Sequence, residues 1–219
     1  MKLLIEVSLQ LLEGLGYTVG IFAVTLLLAL PLGLIIAFGS MSKFKPLSYL
    51  CRGFVWVIRG TPLMLQIIVF AYGPGLWLNT PLRNTEQQIA MVCLAFAINY
   101  ACYFSEIYRG GIQSVPHGQY EAGQVLGMSK TQIFFKVTLL QVIKRIVPPM
   151  SNEIITLVKD TALASVVIHV DLFTVAKQIV DKKVILWPVF YAGLFYLIFN
   201  GIVTWALRRL EDRLSYFKV

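Results

Sequence analysis

Glu153, Thr156 or Leu157, and Asp160 recur at the spacing that puts side chains on one face of a helix, with Asn152 and Lys159 on a neighbouring stripe. Two carboxylates so arranged suit one of two chemistries. They hold an ammonium or guanidinium group, with Lys159 meeting a carboxylate or pairing with the acids, or they pass protons along the face. A third reading is structural, in which Glu153, Lys159 and Asp160 neutralise one another or Arg59. No Walker lysine loop, zincin helix, nucleophile elbow or Gly-rich dinucleotide turn accompanies them, so no catalytic residue and no metal ligand is assigned.

What must position these charges is a bilayer. Of 219 residues, 58% are hydrophobic and only 14% charged, too little polar surface to cover a water-soluble globule. A hydrocarbon core of roughly 30 Å takes about 20 apolar helical residues. The chain is expected to be an all-α integral membrane protein, one domain over 1–219, with five spans at about 17–41, 53–72, 87–107, 146–170 and 184–207. The second and fourth carry charges inside, Arg59 in one and Glu153, Lys159 and Asp160 in the other. Such groups cost about 2.5 to 3.5 kcal/mol each on insertion scales, so they are expected to face a bundle interior or a wet cavity.

The formal charge of +8 follows the positive-inside bias and does not mark a nucleic-acid-binding face, because the basic residues lie between apolar runs. Placing 43–59, 109–145 and 208–219 in the cytoplasm puts thirteen of the nineteen Lys and Arg there, with the N-terminus outside and the C-terminus inside. His117 and His169 then fall on opposite sides and share no metal within one subunit. Met1 to Glu13 lacks the pattern of a signal peptide and is expected to remain. That stretch reads either as an interfacial amphipathic helix, with Leu4, Ile5, Leu9 and Leu12 on one side, or as an extension of the first span. Cys51, Cys93 and Cys102 form no CxxC pair and are expected to behave as small hydrophobes.

Local signals sharpen the picture. Gly16, Gly20, Gly33 and Ala37 are small residues suited to helix packing in lipid. Lys43, Lys45 and Pro46 are expected to end the first span, and Gly73-Pro74-Gly75 to close the second. In Arg59-Gly60-Thr61-Pro62 the proline disfavours helical geometry at Thr61, so the second span is expected to break just after the arginine. Arg59 either reaches the cytoplasmic surface or braces a subunit interface. Glu106 and Arg109 form a structural i,i+3 pair.

The loop 109–145 is too apolar at helical spacing to be disordered. Ser114-Val115-Pro116 starts a short exposed helix in which Tyr120, Val125 and Leu126 form one face, while Gly123 and Gly127 leave the backbone approachable. Ile133, Phe134, Val137, Leu140 and Ile143 then follow at helical spacing, leading into Pro148-Pro149 and the fourth span. Trp187 and Trp205 anchor the two ends of the fifth.

The run Glu106-Ile107-Tyr108-Arg109-Gly110-Gly111-Ile112-Gln113-Ser114-Val115-Pro116, followed by Gly118-Gln119-Tyr120-Glu121-Ala122 and Leu126-Gly127, resembles the permease subunits of bacterial ABC importers for polar amino acids. Arg59-Gly60-Thr61-Pro62 upstream, and Asn152 to Thr161 downstream, are similar to family segments in the same order. Two positions depart from the pattern. Gly123 stands for the second Ala of the Glu-Ala-Ala signature, a change worth up to about 1 kcal/mol of helix stability, and Leu139-Leu140-Gln141 replaces the usual Leu-Pro-Gln.

The resemblance implies a type I ABC importer permease with a cytoplasmic coupling helix. Tyr120, Glu121, Ala122, Gly123, Leu126 and Gly127 would dock into an ATPase, with Glu121 as the matching acidic position. Arg59, Gly60, Thr61 and Pro62 would be structural or gating residues. Asn152, Glu153, Thr156, Leu157, Lys159 and Asp160 would line the substrate pathway. It further implies two ATPase subunits that carry ATP and Mg, no cofactor on this chain, a second permease that is identical or paralogous, an extracytoplasmic solute-binding protein, an amino acid substrate and a bacterial inner-membrane location. Against this non-enzymatic transport subunit stand a self-contained channel or proton-coupled carrier using Glu153 and Asp160, which the lack of an internal repeat disfavours, and a membrane enzyme or scaffold, which no catalytic constellation supports.

Overall fold

In a computed structural model, residues 2–77, 79 and 84–214 are described, and all their regular structure is helical. Arg83 and the end of the basic tail, 215–219, lie outside these residues. The helices are α1 (Lys2–Ser40), α2 (Lys45–Gly60), α3 (Leu63–Trp77), α4 (Thr85–Gln113), α5 (His117–Val125), α6 (Lys130–Ile133), α7 (Leu139–Asp160), α8 (Leu172–Lys183) and α9 (Trp187–Leu214). A π-helical turn over Phe134–Thr138 joins α6 to α7, and a 3-10 stretch over Thr161–Val166 follows α7.

By length and composition three of them, α1, α4 and α9, are able to cross a membrane, and a fourth span is reached if the bent pair α2 and α3 counts as one. The fourth expected span, 146–170, is not met on those terms. Its helix α7 carries Lys144, Arg145, Glu153, Lys159 and Asp160 in 22 residues. The expected boundaries shift too. The fourth segment starts at Leu139 instead of 146, its regular α-helix stops at Asp160, and Pro148 and Pro149 lie inside it. Helical hydrogen bonding continues past the apolar core into polar sequence, so apolarity marks the part of a helix that suits lipid and not the helix ends.

Lys2–Ser40 forms one continuous helix, the second of the two expected arrangements. At 39 residues it is about 58 Å long. Its buried face is Val7, Leu11, Gly14, Thr18, Ile21, Thr25, Ala29, Gly33 and Ala37, while Leu4, Ile5, Leu9 and Leu12 are exposed. The packing seam keeps the expected Gly33 and Ala37 but not Gly16 and Gly20. A methyl on Gly33 would lie 2.9 Å from the Ala101 carbonyl, and one on Gly14 would lie 2.9 Å from Leu172 Cα, whereas Gly16 and Gly20 have nothing within 4 Å. Gly33 and Gly14 admit the α4 and α8 backbones because they lack a Cβ.

Two cores result. The larger joins α1, α3, α4 and α7 through Ile21, Ala29, Ile67, Phe96, Phe104 and Leu157, and the smaller joins the N-terminal turns of α1 to α8 and α9 through Val7, Leu11, Leu172, Ala176 and Ala192. Cys93 and Cys102 are buried and Cys51 is half-buried, all three as free thiols.

Helix α8 was not expected from the sequence, yet its signals are ordinary. Asp171 caps the N-terminus by accepting from the Phe173 and Thr174 amides at 3.0 and 3.2 Å. Leu172, Ala176 and Ile179 follow at helical spacing, and Lys182 and Lys183 sit in the last turn. Lys183 Nζ also reaches Glu6 Oε1 at 3.1 Å, tying the end of α8 to the start of α1.

Candidate functional site

The break after Arg59 lies where the sequence places it. Helix α2 ends at Gly60, Thr61 is extended at φ −117° and ψ 145°, and α3 leaves at 104° to α2. Pro46 opens α2 near its first turn, instead of merely ending the span before it. Helix α3 also runs on through Gly73-Pro74-Gly75 to Trp77.

A break inside an apolar run strands backbone carbonyls, and these need donors. Gln66, only 8% exposed, supplies them. Its Nε2 reaches the Ile58 carbonyl and Thr61 Oγ1, each at 2.8 Å, and its Oε1 accepts from Asn99 Nδ2 on α4 at 3.0 Å. Sequence reasoning passed over Gln66 and Asn99. The available signal was a lone amide four residues after a proline break, within a run otherwise apolar from Leu63 to Ala71.

Below the elbow, Arg59 lies over the Tyr103 ring at 4.9 Å with its Nη1 3.9 Å from Glu106 Oε2. Glu106 is held by Arg109, whose Nε and Nη2 donate to its two oxygens at 3.0 and 2.5 Å. The expected i,i+3 pair is present and gains Arg59 as a third member. Asn99, Tyr103 and Glu106 lie along one face of α4 at i, i+4 and i+7, so a single helix face reads both sides of the elbow.

A cleft of about 560 Å³ opens between this elbow and α7, lined by Arg59 to Leu63, Asn99, Tyr100, Tyr103, Glu153, Thr156 and Asp160. Asp160 Oδ2 accepts from the Tyr100 hydroxyl at 2.7 Å, and Tyr100 itself is 2% exposed. Three of the expected pathway residues thus share one wall. The other three do not. Leu157 is fully buried in the core, and Asn152 and Lys159 are exposed and away from the cleft lining. Lys159 is adjacent to Asp160 in sequence, but that step turns it about 100° around the helix. The cation that borders the cleft is Arg59 instead.

Beside α6 and the π-helical turn, at the opposite end of the helical run from Glu153 and Asp160, sits the exposed loop helix. Helix α5 begins at His117 behind Pro116, and Gly127, at φ +72°, makes the left-handed turn that closes it. His117 Nδ1 lies 3.0 Å from Glu121 Oε1, both side chains exposed, and Val125 and Leu126 are 88% and 77% exposed. Tyr120 is half-buried, and Ala122 is exposed.

Gly123 is buried against Ile133 of α6. A methyl there would stand 2.6 and 2.9 Å from Ile133 Cγ1 and Cδ1. The glycine, expected only to loosen the helix, also makes room for this neighbour. Ser129 and Gln132 cap α6 reciprocally. From Lys130 the chain is helical without interruption to Val166. Phe134 and Leu140, expected on a packing face, are exposed, and Val142 is buried in that role. Arg145 Nη1 donates to the Ser114 carbonyl at the end of α4, so α4 and α7 are joined at the base of the loop. Among the described residues no group of three or more His, Cys, Asp or Glu is placed to hold a metal ion.

An all-helical bundle with an exposed loop helix and a polar elbow beside acidic residues is the architecture of an importer permease. The family described as binding-protein-dependent transport system inner membrane component matches residues 29–216, and the chain belongs to it. Among curated relatives, the L-cystine transport system permease protein TcyB of Bacillus subtilis is 34% identical over 206 residues, covering 93% of this chain and 86% of that protein. The arginine transport system permease protein ArtQ of Bacillus subtilis is 32% identical over 206 residues, covering 94% and 92%.

Among solved structures, an amino acid ABC transporter crystallised with histidines matches with a TM-score of 0.86 at 29% identity over 96% of each chain. The MetNI methionine transporter, at 17% identity and a TM-score of 0.67, shares the fold. The resemblance found in the motifs is thereby established: this is a membrane permease of the amino acid ABC importer family.

Proposed function

We propose that the chain folds as one transmembrane domain and serves as a permease subunit of an ATP-driven importer that carries a polar or charged amino acid inward across the bacterial cytoplasmic membrane. In this reading α7 is the fourth of five spans, the N-terminus lies outside, and the C-terminus and α5 lie in the cytoplasm. Two ATPase subunits engage α5, a second permease completes the pathway, and a solute-binding protein delivers substrate from outside. ATP and Mg act on the partner, and this chain catalyses no reaction.

One observation carries the reading. Helix α5 rests through Gly123 on Ile133, at the start of the unbroken helical run that leads to Glu153 and Asp160. Displacing α5 therefore pushes on a rod whose far end lines the cleft, and a rigid element of this kind transmits a rigid-body motion. Glu153 and Asp160 provide the charge that meets an ammonium or guanidinium group, and Arg59 sits at the rim. The names of the relatives, which include arginine and cystine permeases, support an amino acid as cargo.

The test is uptake by the reconstituted complex. Glu153→Gln and Asp160→Asn are expected to weaken apparent substrate affinity while ATPase subunits still copurify. Unchanged affinity in both variants would remove the cleft from the pathway. Retention of the ATPase at full pumping rate after deletion of 117–125 would remove α5 from coupling.

A further inference from the structure

A second cavity, of about 500 Å³, lies between α2 and α4 at the end of the bundle that bears α5, and the transport reading leaves it unused. It is lined by Arg52, Arg59 and Arg109 against one carboxylate, Glu106, with Trp56 and Tyr103 beside them. Three guanidinium groups less one carboxylate leave a surplus of two positive charges. Both Glu106 oxygens already accept from Arg109. Arg52 uses its Nε on the Ser40 carbonyl, at 3.2 Å, and among the described residues it makes no ion pair.

The surroundings of this charge are amphiphilic. On α2, Arg52 and Arg59 are seven residues apart and form one stripe, and Tyr49 and Trp56, also seven apart, form the stripe next to it. Tyr49 and Trp56 are 68% and 78% exposed, and Leu50 and Val57 beside them are 71% and 51% exposed. Ser40, which anchors Arg52, is the last residue of α1, so the cavity sits at the border of the apolar layer. A free anion would satisfy the guanidinium forks and leave the aromatic stripe bare. A molecule with an anionic phosphodiester and an acyl chain matches both.

We propose that this cavity binds the headgroup of an anionic phospholipid from the leaflet on the α5 side, its phosphodiester on Arg52 and Arg59 and its chains along Tyr49 and Trp56. Basic pockets between membrane helices recognise such headgroups, and the planar guanidinium suits a phosphate oxygen pair. The bound lipid touches the elbow through Arg59, so it stiffens that bend. The proposal needs the chain to be a membrane subunit, which its family establishes, and is independent of what is transported.

Native mass spectrometry of the purified complex, delipidated and then titrated with phosphatidylglycerol or phosphatidylcholine, decides it without any transport measurement. Retention of phosphatidylglycerol over phosphatidylcholine is expected. Arg52→Gln should lower that retention about five-fold, the size expected for one basic side chain at an anionic surface, and Arg52→Lys should keep most of it. Equal retention of the two lipids, or no change with Arg52→Gln, overturns the proposal. Two further outcomes also overturn it: inorganic phosphate displacing the lipid at equal concentration marks a free-anion site, and a cross-link from Trp56 to the second permease marks a subunit interface.

Discussion

Replacing Gly123 by alanine restores the family signature, and it is expected to harm this particular chain. Alanine in a helix interior gains about 1 kcal/mol over glycine. Here the new methyl would stand 2.6, 2.9 and 3.4 Å from three Ile133 side-chain carbons, where ordinary contact begins at 3.4 Å. Ile133 is fully buried and β-branched, so in a helix it has one favoured χ1 well and little room to swing aside. Overpacking of this kind costs about 1 to 3 kcal/mol, so the net loss is about 1 kcal/mol.

If α5 docks the ATPase, that loss appears as a roughly five-fold weaker Kd for the ATPase in nanodiscs. Ile133→Ala removes the obstruction. In that background Gly123→Ala should improve ATPase affinity by a similar factor, so the sign of the same substitution reverses between backgrounds. Tighter binding from Gly123→Ala in the unmodified chain, or an equal effect in both backgrounds, would refute the reasoning.

Other outcomes follow from the same geometry. Gln66→Leu should lower the melting temperature of the complex by the equivalent of about 1 to 3 kcal/mol, because it leaves the Ile58 carbonyl with only the Thr61 hydroxyl at 3.3 Å and the Asn99 amide, 5% exposed, without its acceptor. Gly33→Ala should lower it by a comparable amount, about 1 to 3 kcal/mol, since the obstacle at 2.9 Å is the Ala101 carbonyl, a backbone atom with no rotamer to change. Gly20→Ala, with nothing within 4 Å, should leave melting unchanged or slightly raised, and a drop matching Gly33→Ala would contradict the assigned seam. Lys159→Gln should leave substrate affinity as it is while Asp160→Asn weakens it. A tenfold loss from Lys159→Gln would put that lysine back in the pathway.

Much of this was legible in the residues. Long apolar runs with basic connections are a strong signal because lipid tolerates few alternatives to a helix, so α1, α4 and α9 were readable from composition alone. The break at Thr61 followed from proline sterics and the start of α5 from Pro116, both of which act on neighbouring atoms. The motif order identified the family. Helix α8 is hard to read from sequence because it is short and half-polar and falls between two expected spans.

What no local signal determined is which face of each helix meets which neighbour. Gly16 and Gly20 have the spacing of a packing motif, yet the seam runs through Gly14 together with the expected Gly33 and Ala37, because α8 and α4 approach along that line. Leu157 and Lys159 flank the same helical turn as Glu153 and Asp160, yet one is core and the other is exposed, because α4 covers one side of α7 and not the other. The amino-acid order determined lipid, breaks and family through local sterics and hydropathy. The cleft, the Gln66 clamp and the Gly123 notch arise from residues distant along the chain or across a turn, and only the packed helices bring them within reach of one another.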